Sequence, residues 1–77
     1  MVISRSRLIK TRYAGSACTG SSGDPNRTLT ASRPLLSDSL IYVNRAMMHP
    51  TDDYTLSGAV ITFLNPIDDT DAIVVMT

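Results

Sequence analysis

The chain has no tryptophan and no glutamate, and only one cysteine, one histidine and one phenylalanine among its 77 residues. Each shortage excludes something. The lone Cys18 leaves no intrachain disulfide, and the lone His49 has no ligand cluster at zinc-like spacing. Asp69-Thr70-Asp71 has the spacing that opens a calcium loop, but the downstream glycine and the bidentate glutamate are missing. Nucleophilic catalysis needs a serine or cysteine with a base and an orienting group, and His49 is the only imidazole. The expectation is therefore no enzyme, no metal and no cofactor. The basic half holds a single aromatic, Tyr13, and no interleaved platform for stacking bases, so a nucleic-acid role is not expected. Met1-Val2-Ile3-Ser4-Arg5 lacks the apolar run of about 7–15 residues of a signal peptide. No stretch approaches the roughly 20 residues of a transmembrane helix. A product made in a cytoplasm, with no membrane association, is expected.

What remains is a small chain whose charges are sorted. Formal net charge is zero. All seven basic residues and two of the acids lie in residues 1–45, a formal +5, and the other five acids lie in residues 46–77, a formal −5. Such a chain can bind copies of itself head to tail or lay a basic arm on an acidic neighbour, although every late Asp also suits a solvated turn. A core of this size rarely supplies more than about 3–5 kcal/mol. With disulfide and metal excluded, association with other chains is the expected source of further stability.

The pattern along the chain is all-β. Residues 2–14 mix apolar pairs with Arg5, Arg7, Lys10 and Arg12 and fit no clean period, which suits an extended basic arm or a cation-protected edge strand. Residues 15–27, rich in glycine and serine and containing Asp24-Pro25-Asn26, suit a linker or wide loop. Cys18 is expected to be inert there. Strands are expected around 28–33, 40–43, 46–50, 54–56, 59–64 and 72–76, with turns at Asn44-Arg45, Thr51-Asp52-Asp53 and Ser57-Gly58. Leu40-Ile41-Tyr42-Val43 is apolar on both faces, so both faces should be covered. The adjacent Met47 and Met48 cannot both enter one core, so one should face outward as an adaptable contact. The final strand, Ala72-Ile73-Val74-Val75-Met76, is too apolar to be left as an open edge. His49, beside a turn, reads as a surface residue. These features give a small antiparallel β-sandwich or meander of about 5–6 short strands with an extended N-terminal arm. The arm or edge strand takes residues 1–18 and a single β domain takes residues 19–77.

Leu40-Ile41-Tyr42-Val43-Asn44, Asp53-Tyr54-Thr55-Leu56-Ser57-Gly58, Val60-Ile61-Thr62-Phe63 and Asp71-Ala72-Ile73-Val74-Val75, in that order, carry a resemblance across residues 27–77. The segment resembles a small β module of tailed-bacteriophage virion proteins, notably tail fibres and related appendages. That module has a VYVNG strand, a DYT-SG-TITF hairpin and a closing D-I-V-V strand. Arg45 departs from it, standing where the family usually has a turn glycine. The resemblance implies a virion structural protein made in the host cytoplasm. It would be a small multimeric component such as a head decoration, a neck or tail accessory, or a fibre-anchoring adaptor. Its partners would be copies of itself and other capsid, neck or tail proteins, with no small-molecule substrate. The alternative is a host-surface recognition module of a tail fibre. Leu29, Tyr42, Tyr54, Leu56, Ile61, Phe63, Ile73 and Val75 are the expected core, and Arg5, Arg7, Lys10, Arg12, Met47 and Met48 the expected partner contacts. Committing Tyr42, Tyr54 and Phe63 to the core leaves few aromatics for a receptor site, which favours assembly.

Overall fold

The computed structural model describes residues 9–77. Seven strands form two antiparallel sheets: β1 (Lys10–Ala14), β2 (Thr28–Thr30), β3 (Leu40–Val43), β4 (Ala46–Met47), β5 (Tyr54–Ser57), β6 (Val60–Phe63) and β7 (Ala72–Met76). The larger sheet has the order β1-β7-β3-β4 and the smaller one β2-β6-β5. Because the chain alternates between sheets, the architecture is a sandwich rather than a meander. The C-terminal β7 is central, paired with β1 on one side and β3 on the other. Both backbone edges of this apolar strand are thereby paired, as its composition requires.

The core lies between the sheets. Ile41 and Val43 of β3 and Ile73 and Val75 of β7 face Leu29 of β2, Tyr54 of β5, and Ile61 and Phe63 of β6, with Leu56 partly buried against them. Cys18, Ala31, Leu35 and Ile67 complete the cluster from loops. Tyr42 departs from expectation. The register sets Ile41 opposite Val75, Val43 opposite Ile73 and Tyr42 opposite Val74, so Tyr42 takes the outer face. Side chains on a strand alternate, and one parity decides every position on it. With apolar residues at both parities of β3, composition favoured the aromatic, whereas pairing with β7 turned the β-branched Ile41 and Val43 inward.

Both hairpins use two-residue loops. Between β3 and β4, Asn44 and Arg45 have φ of 51° and 71°, the double left-handed pattern of a type I′ turn. Asn tolerates that region, whereas a residue with a long side chain costs about 1 kcal/mol there. Arg45→Gly is therefore expected to raise stability by about 0.5–1 kcal/mol, read as a higher urea midpoint. An unchanged or lower midpoint would show that Arg45 makes contacts that offset the strain. Between β5 and β6, Ser57 pairs with Val60, so the loop is Gly58-Ala59, one residue later than the expected turn. Gly58 supplies the positive φ of 61° that such a loop needs.

Residues 15–27 are not a free linker. Gly15 N–H donates to Asp71 O at 2.8 Å, Ser16 to Asp69 O at 3.2 Å, and Gly23 to Ile67 O at 2.8 Å. Ile67 N–H returns a bond to Asp24 O at 3.3 Å, and Asp69 N–H donates to Ser22 Oγ at 2.8 Å. Two irregular segments, 15–27 and 65–71, thus satisfy one another's backbone groups. Arg27, 2% exposed, fastens them from inside. This clasp fixes the point where β1 leaves β7.

Candidate contact surface

The two sheets present very different outer faces. On the smaller sheet the cross-strand ranks are Thr28–Thr62–Thr55 and Thr30–Val60–Ser57. Hydroxyl side chains dominate, the ordinary composition of a strand face in water. On the larger sheet the ranks are Lys10–Met76–Leu40, Arg12–Val74–Tyr42–Met47 and Ala14–Ala72. An apolar strip of Leu40, Tyr42, Val74, Met76 and Met47 therefore runs across it, bordered by Lys10 and Arg12 on β1. Leu40, Tyr42, Val74 and Met76 are half-buried, and Met47 is 46% exposed. A shallow groove of about 640 Å³ lies in this face, lined by Lys10, Arg12, Tyr42, Arg45, Val74 and Met76 among others. That volume is in the range of about 300–1,000 Å³ that accepts side chains or a small ligand.

The groove is net cationic because three cations, Lys10, Arg12 and Arg45, outnumber the one carboxylate that lines it, Asp71, whose oxygens are held by neutral donors. Asp71 Oδ1 accepts from Asn44 Nδ2 at 2.9 Å and Oδ2 accepts from Asp68 N–H at 2.8 Å, while Asn44 Oδ1 accepts from Ala72 N–H at 2.9 Å. Among the described residues, Lys10, Arg12 and Arg45 form no ion pair; the one salt bridge there joins Arg27 to Asp69. Of the expected contact residues, Lys10, Arg12 and Met47 thus come together on one face. Met48 does not join them, because alternation turns it inward against the core, with its N–H donating to Ile41 O at 2.8 Å. Arg5 and Arg7 lie outside the described residues.

The other singled-out residues lie away from this face. His49 is exposed, and its N–H is accepted by Asp53 Oδ2 at 2.8 Å. Asp69 pairs with Arg27 at 2.9 Å. Among the described residues no cluster of three or more His, Cys, Asp or Glu side chains could hold a metal ion, and no helix is long and apolar enough to cross a membrane.

Cys18 and Tyr54 are both buried, at 6% and 2% exposure. Burial pushes the Cys18 thiol above its ordinary 9.0; Arg27 pulls the other way and Asp69 adds to the rise. Burial, then the Asp53 charge, pushes Tyr54 above its ordinary 10.0. Both hold their protons more tightly folded than unfolded, so their contribution is complete below those ordinary values and is lost as pH rises through the raised ones. The urea midpoint is expected to be flat with respect to these two groups near neutrality and to fall above about pH 9. In Cys18→Ser the fall should begin at higher pH. A wild-type midpoint that holds constant into strong alkali would contradict this.

Comparison with known proteins found no family model, no curated protein and no solved structure that matches the chain. The fold and the surface therefore define a class and no more: a small all-β, two-sheet domain with one solvated outer face and one apolar, cationic outer face.

Proposed function

We propose that the chain is a small structural component of a multimeric assembly, acting by protein–protein contacts through the outer face of the β1-β7-β3-β4 sheet. The observation that carries this reading is the contrast between the two outer faces. One fold uses Thr and Ser where a sheet meets water and Leu, Tyr, Val and Met on the other side, the composition of a surface to be covered. We take the assembly to be a bacteriophage virion, in which the chain would serve as a head decoration, a neck or tail accessory, or a fibre-anchoring adaptor. Copies of itself and neighbouring virion proteins would be its partners. That part rests on the resemblance of residues 27–77 to the virion β module.

A host-surface recognition role gains one observation. Tyr42 is on the outer face within a groove edged by Arg12 and Arg45, so an aromatic is available there after all. Assembly remains the better reading, because the apolar strip spans three strands, β7, β3 and β4, and exceeds what one small ligand covers.

The test is Val74→Thr combined with Met76→Thr, which gives the larger sheet the kind of outer face that the smaller one has. Thr keeps strand propensity, so far-UV circular dichroism should be unchanged while self-association in sedimentation is lost. A wild-type and a double variant with the same oligomeric state would sink the reading.

A further inference from the structure

The open edge of β1 is of a different kind from the other sheet edges. Ile9 and Thr77 exchange both backbone bonds, at 3.0 and 3.2 Å, and Gly15 N–H reaches Asp71 O at 2.8 Å. Antiparallel ladders alternate. Thr11 and Tyr13 therefore bond to β7, while Lys10 and Arg12 turn their N–H and C=O groups, and Ala14 its N–H, to the open side; the Ala14 C=O enters the 3-10 turn Gly15–Ala17. The other edges are short or partly occupied. β4 has two residues. On β2, Thr19 binds both backbone groups of Thr28, accepting at 3.0 Å and donating at 2.8 Å. On β5, Thr51 N–H takes Tyr54 O at 2.7 Å. β1 thus offers a five-residue edge whose outward-turned backbone groups belong to two unpaired cations and an alanine.

We infer that β1 receives an extended segment of another protein, added antiparallel as a fifth strand of this sheet and carrying acidic side chains at two alternate positions opposite Lys10 and Arg12. This rests on the contact-face reading above and names the chemistry of one partner. Edge cations refuse neutral and basic strands, and opposite charges across a strand pair are favourable while like charges are not. The same rule excludes a second copy at this edge. Antiparallel pairing of β1 with β1 across a two-fold axis sets Arg12 against its own equivalent when centred on Arg12, and Lys10 against Arg12 when centred on Thr11, like charges in either register. The other edge strands, TLT, AM and YTLS, contain no acid. Residues 1–8 of the chain, with Arg5 and Arg7, have the wrong sign. Strand addition of this kind draws affinity from main-chain bonds and specificity from alternate side chains. Here the specificity is charge, reinforced by Arg45 across the groove.

The probe is a blocked heptapeptide alternating Glu and Val, compared with its Lys–Val counterpart, added to the full chain while backbone amide exchange is followed by NMR. The Glu–Val peptide is expected to slow exchange at Lys10, Arg12 and Ala14 by at least about tenfold, less so as salt rises, and the Lys–Val peptide to do nothing. Lys10→Glu with Arg12→Glu, both exposed positions, should reverse the preference. Equal protection by both peptides, no protection at these amides, or protection without peptide accompanied by a doubled mass would each overturn the proposal, the last by making a second copy the occupant. The contact-face reading is scored separately, by the mass of the wild-type and Val74→Thr, Met76→Thr proteins without peptide, so the two can fail independently.

Discussion

Arg27→Met is expected to leave the chain largely unfolded at room temperature. The Arg27 guanidinium donates to three backbone carbonyls, Thr19 O at 2.7 Å, Ile67 O at 2.6 Å and Cys18 O at 3.2 Å, and to Asp69 Oδ1 at 2.9 Å. Methionine fills much of the volume and supplies none of these bonds. A buried acceptor left without a donor costs about 1–3 kcal/mol. Three of them together match the roughly 3–5 kcal/mol available to a core this small. The carboxylate matters less. Asp69 is 51% exposed, so its pairing with Arg27 is screened, and Asp69→Asn should cost less than about 1 kcal/mol. Arg27→Lys keeps the charge but replaces a planar fork with one ammonium that cannot reach three diverging carbonyls. Urea midpoints should therefore fall in the order wild type, Asp69→Asn, Arg27→Lys, Arg27→Met. An Arg27→Met protein as stable as Asp69→Asn would show that the carbonyls find water instead, and that the clasp is not held from inside.

Gly15→Ala is the second large effect. A β-carbon at Gly15 would run into the carbonyl oxygen of Asp68, with the Asp68 and Asp69 carbonyl carbons close behind it at 3.0 and 3.3 Å. All three are backbone atoms, so no side chain can swing away. Residues 65–71 would have to move, breaking Gly15 N–H to Asp71 O and Ser16 N–H to Asp69 O. Overpacking of this kind costs about 1–3 kcal/mol, and the added loss of backbone bonds puts Gly15→Ala at the upper end. Gly58→Ala is the control. Its β-carbon meets open space at a φ of +61°, and only the positive φ opposes it, by about 1 kcal/mol. Hydrogen exchange at Thr11 and Tyr13 should accelerate in Gly15→Ala and not in Gly58→Ala, because the clasp anchors the end of β1. Equal behaviour of the two variants would contradict the close approach.

The strands were legible because their signal is local. Alternation within Ala72–Met76 and Val60–Phe63, glycine at position 58 and the Asn44-Arg45 turn each specify a few residues, and the sandwich assembles from them. The inward parity of β3 was not legible. Leu40, Ile41, Tyr42 and Val43 would satisfy either face, and only the register with β7, about thirty residues later, decides. Arg27 was hidden for a related reason. Nothing in Asn26-Arg27-Thr28 distinguishes a buried cation from a solvated one, since its carbonyl partners come from two separate loops, Cys18 and Thr19 in the preceding one and Ile67 far along the chain. Part of the face proposed for contacts was visible by composition. Lys10, Arg12 and Met47 stood out by charge and exposure, and the structure brings them onto one face. It also adds Tyr42, Val74, Met76 and Arg45, which had been read as core, strand and turn residues. Arg45 illustrates how the two roles conflict: glycine would relax the turn, while arginine supplies the groove with charge, so Arg45→Gly should gain stability and weaken the cationic face.

The most direct test of the central claim is the mass of the wild-type protein in solution, by light scattering, at low and at high salt. A face sealed by Leu40, Tyr42, Val74 and Met76 predicts an integer multiple of the 8.3 kDa chain that persists in high salt, because apolar contacts are not screened. A monomer at both salt concentrations would contradict the claim that this face is covered by a copy of the chain.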